Sequence, residues 1–203
     1  MNVVPTLIAA ILWALAAVLF LLWIADWRAP RRRPLQIQVV AGDITAEKTD
    51  AIVNAAKSSL LGGGGVDGAI HHAGGPAILA ACRQLRAGQY RHGLPAGEAV
   101  ATTAGRLPAQ WVIHTVGPVY NPDVDRSDVL RSCYVQALAI ADAKGAQSVS
   151  FPLISAGVYG WPKEDAVRQA VTALLSARTR VKTARLVLFD EESYRIAKAV
   201  TGR

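Results

Sequence analysis

The residues best placed to do chemistry lie in one stretch, 51–71. An apolar run over 51–56 reads as a buried strand. Four consecutive glycines follow, 62–65, and from Val66 onward Ile70, Ala73, Ala77, Ile78 and Ala81 recur at helical spacing. Strand, glycine loop and helix start together cradle a phosphate: glycines let backbone N–H groups approach the anion, and the helix dipole favours negative charge there. One acid, Asp67, sits inside this loop. A carboxylate repels a phosphate, so Asp67 is either a cap or first-turn acid of the helix or a group with chemistry of its own. A second glycine-containing loop, Ser155-Ala-Gly-Val-Tyr-Gly160, also follows an apolar strand and precedes a helix. In a parallel sheet both loops fall at the strands' C-terminal edge, where ligands bind. Each alone reads as a tight connection; as a pair they can close on a diphosphate from opposite sides.

Several chemistries are excluded by spacing. Gly63-Gly-Gly-Val-Asp-Gly68 satisfies GxGxxG, but residues 80–97 contain no acid to take ribose hydroxyls, which removes dinucleotide redox chemistry. There is no Gly-Lys-Ser/Thr for phosphoryl transfer and no GxSxG elbow for a serine hydrolase. His71 and His72 are adjacent on a helix and point apart, His92 is in a loop, and His114 is inside a strand, where a hydrogen-bonded core role is expected. No carboxylate joins them at ligand spacing, so neither a metal nor any other cofactor is expected. Cys82 and Cys133 are isolated thiols on predicted helices, read as buried and reduced. The formal charge of +7 suits an anionic ligand, but no aromatic-rich basic motif points to nucleic acid.

The elements that must position these groups follow in order. Strands are predicted over 35–41, 51–56, 99–104, 111–116, 148–154 and 184–189, with a turn over 42–45. Helices are predicted from 66 to about 85, over 127–144 with Gly145 just past its end, over 163–176 and over 191–200. The alternation predicts an α/β fold, a three-layer α/β/α sandwich around a largely parallel sheet. Ahead of it, residues 3–25 carry no charge, enough for about 34 Å of helix against a hydrocarbon core of about 30 Å. Trp23 and Trp27 fall near its end, and Arg28, Arg31, Arg32 and Arg33 follow. The expected organisation is a transmembrane anchor over 1–27, a basic, proline-containing linker over 28–34 and one domain over 35–203, on the cytoplasmic side of a single-pass span.

Gly42-Asp-Ile-Thr45, Ala51-Ile-Val-Asn-Ala-Ala56 and Ser59-Leu-Leu-Gly-Gly-Gly-Gly-Val-Asp-Gly-Ala-Ile-His71 resemble the signature of macrodomains of the MacroD type. Thr102-Thr-Ala-Gly105, Val112-Ile-His-Thr-Val-Gly-Pro118 and Phe151-Pro-Leu-Ile-Ser-Ala-Gly-Val-Tyr-Gly160 continue it in order, over about 35–203. The resemblance implies a mixed, largely parallel sheet, an ADP-ribose cleft at its edge, and hydrolysis of ADP-ribosyl esters such as O-acetyl-ADP-ribose or mono-ADP-ribose on acidic side chains. ADP-ribosylated proteins are then further partners, beside the membrane through residues 3–25.

By position, the resemblance implies that Asp43 bonds the adenine amino group with the Ile44 backbone beside it, and that Phe189 or Asp190 lies near adenine. Gly63, Gly64, Gly65 and Val66 would wrap the diphosphate together with Ser155, Ala156, Gly157, Val158 and Tyr159. Asn54 would hold the distal ribose, Tyr159 would pack over it, and Asp67 would position or activate the attacking water. One departure stands out: the family's Asn-Ala-Ala-Asn reads Asn54-Ala-Ala-Lys57. Lys57 can supply the missing donor, pair with Asp67 and blunt it, or turn to solvent. The catalytic set is then Asp67, Lys57 and Tyr159, and the alternative is a non-catalytic membrane-tethered ADP-ribose reader.

Overall fold

The computed structural model describes residues 34–202. The predicted anchor over 1–27 and most of the linker lie outside them, and no helix among the described residues is long and apolar enough to cross a membrane.

Among the described residues six strands form one sheet: β1 (Gln36–Ala41), β2 (Ala51–Ala55), β3 (Ala99–Thr103), β4 (Trp111–Thr115), β5 (Ser148–Phe151) and β6 (Thr183–Leu188). Their order across the sheet is β1-β6-β5-β2-β4-β3. Only β3 runs antiparallel to its neighbour; every other pairing is parallel. A mixed, largely parallel sheet is therefore what forms.

Among the described residues five helices cover its two faces: α1 (Gly65–Gly74), α2 (Pro76–Ala87), α3 (Ser127–Ala143), α4 (Lys163–Ser176) and α5 (Glu191–Thr201). α1 and α2 pack on β2 and β3, whereas α3, α4 and α5 pack on one another and across the other face. The core is accordingly split in two. Val53, Ile113, Tyr134, Phe151 and Leu186 belong to one half, and Ile52, Ile70, Ile78, Cys82 and Val112 to the other. The alternation of Ile52 with Val53, and of Val112 with Ile113, is the two-residue period of a strand buried on both faces.

Two elements differ from the sequence expectation by more than a residue at an end. The single helix predicted from 66 to about 85 is broken into α1 and α2. Gly75 takes φ +79, outside the helical region, and Pro76 opens α2 at a position where its missing N–H costs nothing. The break also receives the loop after β3, where the Arg106 N–H donates to the Gly74 carbonyl at 2.9 Å. The strand predicted over 148–154 ends at Phe151, because the chain turns there into the second glycine-containing loop.

The sheet edge that carries the loops is tied down by polar contacts. Glu47, just past the short 3-10 turn Ile44–Ala46, accepts from Arg185 of β6 (Nη2 to Oε1, 3.3 Å) and from Ser150 Oγ of β5 at 3.0 Å. On the other face, the buried Tyr134 hydroxyl of α3 accepts from the Ile154 N–H at 3.1 Å, at the start of the second loop. Tyr134→Phe leaves that N–H buried without a partner. Its expected cost is about 1–3 kcal/mol, read as a lower urea midpoint with an unchanged m-value; an unchanged midpoint would show that the bond carries no weight.

Candidate functional site

A cavity of about 730 Å³ opens at the C-terminal edge of β1, β6, β5 and β2, within the range of small-molecule sites. Sheet order arranges its wall. At the β1/β6 end stand Asp43, Ile44 and Phe189, in the middle the loop after β5 with Ser155, Ala156, Gly157, Val158 and Tyr159, and at the β2 end Lys57, Gly64, Gly65, Val66 and Asp67. The two loops singled out in the sequence thus face one space.

Asp43 is held by its own turn: its Oδ1 accepts from the Thr45 N–H at 2.8 Å, capping the 3-10 turn. Phe189 projects with 88% of its surface exposed. Lys163, the first residue of α4, also reaches the wall and donates to Asp190 (2.9 Å) and Glu192 (2.7 Å). Lys163 and the Ser193 groups that bond to Asp190 hold its carboxyl down to about 2. Nothing in the sequence pattern singles out Lys163, which meets Asp190 only through the packing of α4 on α5.

The glycine loop is shaped by close approach. A Cβ on Gly68 would stand 2.6 Å from the Gly63 carbonyl oxygen, so the loop folds back on α1 only with glycine there. Gly64 caps α1 without any side-chain hydrogen bond, and Gly64, Gly65 and Val66 line the cavity at the start of the helix, where orphan N–H groups favour an anion. In the opposite loop Ser155 takes φ +66, a left-handed conformation that a non-glycine residue holds at about 1–3 kcal/mol of strain. Its Oγ is buried with no protein partner, in space that a Cβ on Gly117 would fill at 2.2 Å. The loop is closed by Gly160 N–H to Gly157 O (2.9 Å) and Trp161 N–H to Ser155 O (3.0 Å).

Asp67 is 3% exposed in the first turn of α1. Its Oδ1 accepts from Asn54 Nδ2 at 2.7 Å, and His71 Nε2 lies 3.5 Å from the same oxygen. Its Oδ2 is buried without a hydrogen-bond partner, and so are Asn54 Oδ1 and, apart from that 3.5 Å contact, His71 Nε2. His71 was not among the expected site residues, although its spacing of four from Asp67 puts it one helical turn away on the same face.

Two expected ligand contacts stand off the wall. Asn54 is fully buried on the α1–α2 face of β2, the face of Ile52, so strand parity turns its amide toward Asp67 and not onto the cavity surface. Gly63 packs between side chains: a Cβ there would lie 3.0 Å from both Lys57 Cε and Asp67 Oδ2. Lys57 thus runs beside Asp67, yet among the described residues it forms no ion pair with it and its side chain is exposed. Of its three expected courses, pairing with Asp67 is not the one this structure holds.

Behind Asn54 lies the fully buried His114. Its Nδ1 is 3.1 Å from Asn54 Nδ2, its Nε2 is 2.8 Å from Thr102 Oγ1 and 3.7 Å from Cys82 Sγ. Burial, with a smaller contribution from His71, pushes its pKa down to about 3. Ligand atoms of His71, Cys82 and His114 lie within 4.8 Å of one another. Both His114 nitrogens are already engaged, however, and burial and the Asp67 charge push the Cys82 thiol up to about 11.

Comparison with known proteins places this geometry. The Macro domain family model matches residues 53–170. A macro domain-containing protein of Streptomyces coelicolor is 60% identical over 166 residues, 82% of this chain and 98% of its own length. An O-acetyl-ADP-ribose deacetylase of Klebsiella pneumoniae is 50% identical over 163 residues, 78% of this chain and 92% of its own length. The solved macrodomain of Oceanobacillus iheyensis with ADP superposes with a TM-score of 0.80 at 42% identity, covering 85% of this chain and 93% of that one.

Both thiols are fully buried, Cys82 with a pKa pushed up to about 11 and Cys133 also raised. A raised pKa leaves the unreactive thiol as the dominant form until pH climbs toward that value. Neither is expected to react with a disulfide reagent near pH 8 in the folded protein, and both are expected to react in denaturant. Prompt labelling of a native thiol would contradict the burial.

Proposed function

The chain belongs to the macrodomain family, and on that premise we propose that it binds ADP-ribose and hydrolyses its esters, either the O-acetyl ester or the ester to an acidic side chain. The observation that carries the reading is Asp67. A buried carboxylate in the cavity wall has one oxygen fixed by Asn54 and the other left without a protein partner. Buried charge without a full set of partners is costly, and an acceptor so placed suits a water molecule awaiting deprotonation. Relatives named as O-acetyl-ADP-ribose deacetylases support the same chemistry.

In this reading adenine lies at the β1/β6 end, beside Asp43, Ile44 and Phe189. The diphosphate takes the N–H groups at the start of α1 and those of the loop from Ser155 to Tyr159. The distal ribose then reaches Asp67 and Lys57, with Tyr159 against it. Asp67 Oδ2 accepts a proton from water as the water oxygen bonds to the ester carbonyl carbon. The tetrahedral intermediate collapses by breaking the bond to the ribose oxygen, which takes up a proton. The products are the carboxylic acid and ADP-ribose. Lys57 offers its ammonium as a donor to the ribose hydroxyls or to the developing oxyanion.

The reader alternative rests on Lys57 standing in place of the family's second Asn. We separate the two with the full-length chain, O-acetyl-ADP-ribose and a protein mono-ADP-ribosylated on acidic side chains. Asp67→Asn is expected to lower kcat by about 10²–10⁴-fold while ADP-ribose affinity, measured by calorimetry, changes little. Tight binding without turnover in the wild type, with turnover gained in Lys57→Asn, would establish the reader instead; no binding at all would remove both.

We also infer that residues 3–25 tether the domain to a membrane with the domain on the cytoplasmic side, supported by their lack of charge and the arginines that follow. The full-length chain is then expected in the membrane fraction after carbonate extraction. Recovery in the supernatant without detergent would count against the tether.

A further inference from the structure

We propose that His114 is the positioning residue of this site: its Nδ1 accepts one amide hydrogen of Asn54, which turns the other onto Asp67 Oδ1 and leaves Oδ2 as the free oxygen of the carboxylate. Its consequence for turnover rests on the hydrolase reading above; the hydrogen-bond direction does not.

Asn54 connects the two. An amide has one acceptor oxygen and a nitrogen with two hydrogens. An ionised Asp67 only accepts, so the Asn54 atom 2.7 Å from its Oδ1 must be the nitrogen. One hydrogen remains on that nitrogen, and His114 Nδ1 is 3.1 Å away. A bond there needs Nδ1 without a proton, so the neutral ring carries its proton on Nε2. Nε2 then donates to Thr102 Oγ1 at 2.8 Å, and the Thr102 hydroxyl donates to the Thr103 carbonyl at 3.1 Å. The chain from Asp67 through Asn54, His114 and Thr102 to the β3 backbone uses each hydrogen once. With the other tautomer, or with a protonated ring, an N–H of His114 would point at an N–H of Asn54.

Strand register builds this line. Asn54 and His114 are partners across β2 and β4, and Val100 of β3 pairs with His114, so Thr102 is its same-face diagonal neighbour. The other titratable groups facing the ring are His71 of α1, whose ring centroid is 6.0 Å away, and Cys82 of α2, with Asp67 beyond Asn54. Burial holds the ring neutral, with its pKa at about 3, and Cys82 keeps its proton. The line therefore keeps one direction throughout the neutral range. Without an acceptor at Nδ1, the Asn54 amide is free to rotate and the Asp67 carboxylate with it. Misplacement of a reacting group by about 1 Å costs roughly 100-fold in rate.

The test uses the full-length chain and three variants. In His114→Asn a carboxamide reaches the Nδ1 position; in His114→Gln it reaches the Nε2 position and meets Thr102 instead; His114→Leu supplies neither. His114→Asn is expected to keep kcat within about threefold, while His114→Gln and His114→Leu lose roughly 10–100-fold, with ADP-ribose Kd within about twofold in all folded variants. A His114→Gln enzyme with wild-type kcat, or a loss that appears only in Kd, overturns the proposal. The second measurement needs no variant and no turnover: wild-type protein labelled with ¹⁵N at its four histidines. His114 is expected to show a protonated Nε2 and an unprotonated, hydrogen-bonded Nδ1 from about pH 5 to 8. A protonated Nδ1, or titration within that window, overturns the proposal. Absence of wild-type turnover on both esters defeats the hydrolase reading, and the nitrogen spectrum then decides the hydrogen-bond direction by itself.

Discussion

The Asn54–Asp67 hydrogen bond is the interaction on which the site depends. A carboxylate removed from water costs several kcal/mol unless hydrogen bonds and favourable dipoles replace its hydration. Asp67 receives one short bond from Asn54 and sits in the first turn of α1, where the helix dipole favours negative charge. Its second oxygen receives nothing from the protein. That imbalance is a local departure from the rule that buried polar atoms are satisfied. It is sustained because β2 and α1, the elements that hold the two residues, are themselves packed into the core through Ile52 and Ile70.

The glycine loop follows from the same requirement. Bringing α1 close enough for Asp67 to meet Asn54 forces residues 62–68 into a tight return, and Gly68 lies where any Cβ would strike the Gly63 carbonyl oxygen. The N-terminal residues Gly64, Gly65 and Val66 of this turn then line the cavity, with no side-chain cap on α1. The glycine loop and the buried acid arise from one turn of chain, which accounts for a carboxylate standing next to a loop of the kind that suits phosphate. The opposite wall is built differently. Ser155 holds a strained backbone, and the pins are Tyr134 on the preceding residue and Trp161 on its carbonyl. Strain kept in place by surrounding bonds is characteristic of a site preformed for its ligand.

Much of this was legible before any coordinates. The helix over 163–176 coincides with α4, and the strands over 35–41 and 111–116 differ from β1 and β4 by a residue at an end, because their apolar periods are regular and their ends punctuated. The break between α1 and α2 is hidden because Ile70, Ala73, Ala77 and Ile78 keep helical spacing across Gly75 and Pro76; periodicity outweighs two helix breakers that the structure obeys. The side on which Asn54 presents its amide was readable from parity with Ile52, but its partner was not. Asp67 arrives thirteen residues later from another element, and only packing brings the two together. Lys163 and Asp190, 27 residues apart, meet for the same reason.

Lys57 shows how a departure from a family pattern acts through geometry. A lysine beside a buried acid would ordinarily form a pair and stabilise the carboxylate as an anion, which makes it a weaker base. Here the stem lies along Gly63, next to Asp67 Oδ2, but the side chain makes no ion pair with the acid and the residue is exposed. Its field is felt instead by whatever occupies the cavity, at the end where the N-terminus of α1 already presents positive charge. Under the proposed reading, a cation in that place favours an anionic ligand without consuming the acceptor that Asn54 leaves free. The substitution therefore changes what greets the ligand at the wall, while the carboxylate behind it remains governed by β2, β4 and the hydrogen bonds that run between them.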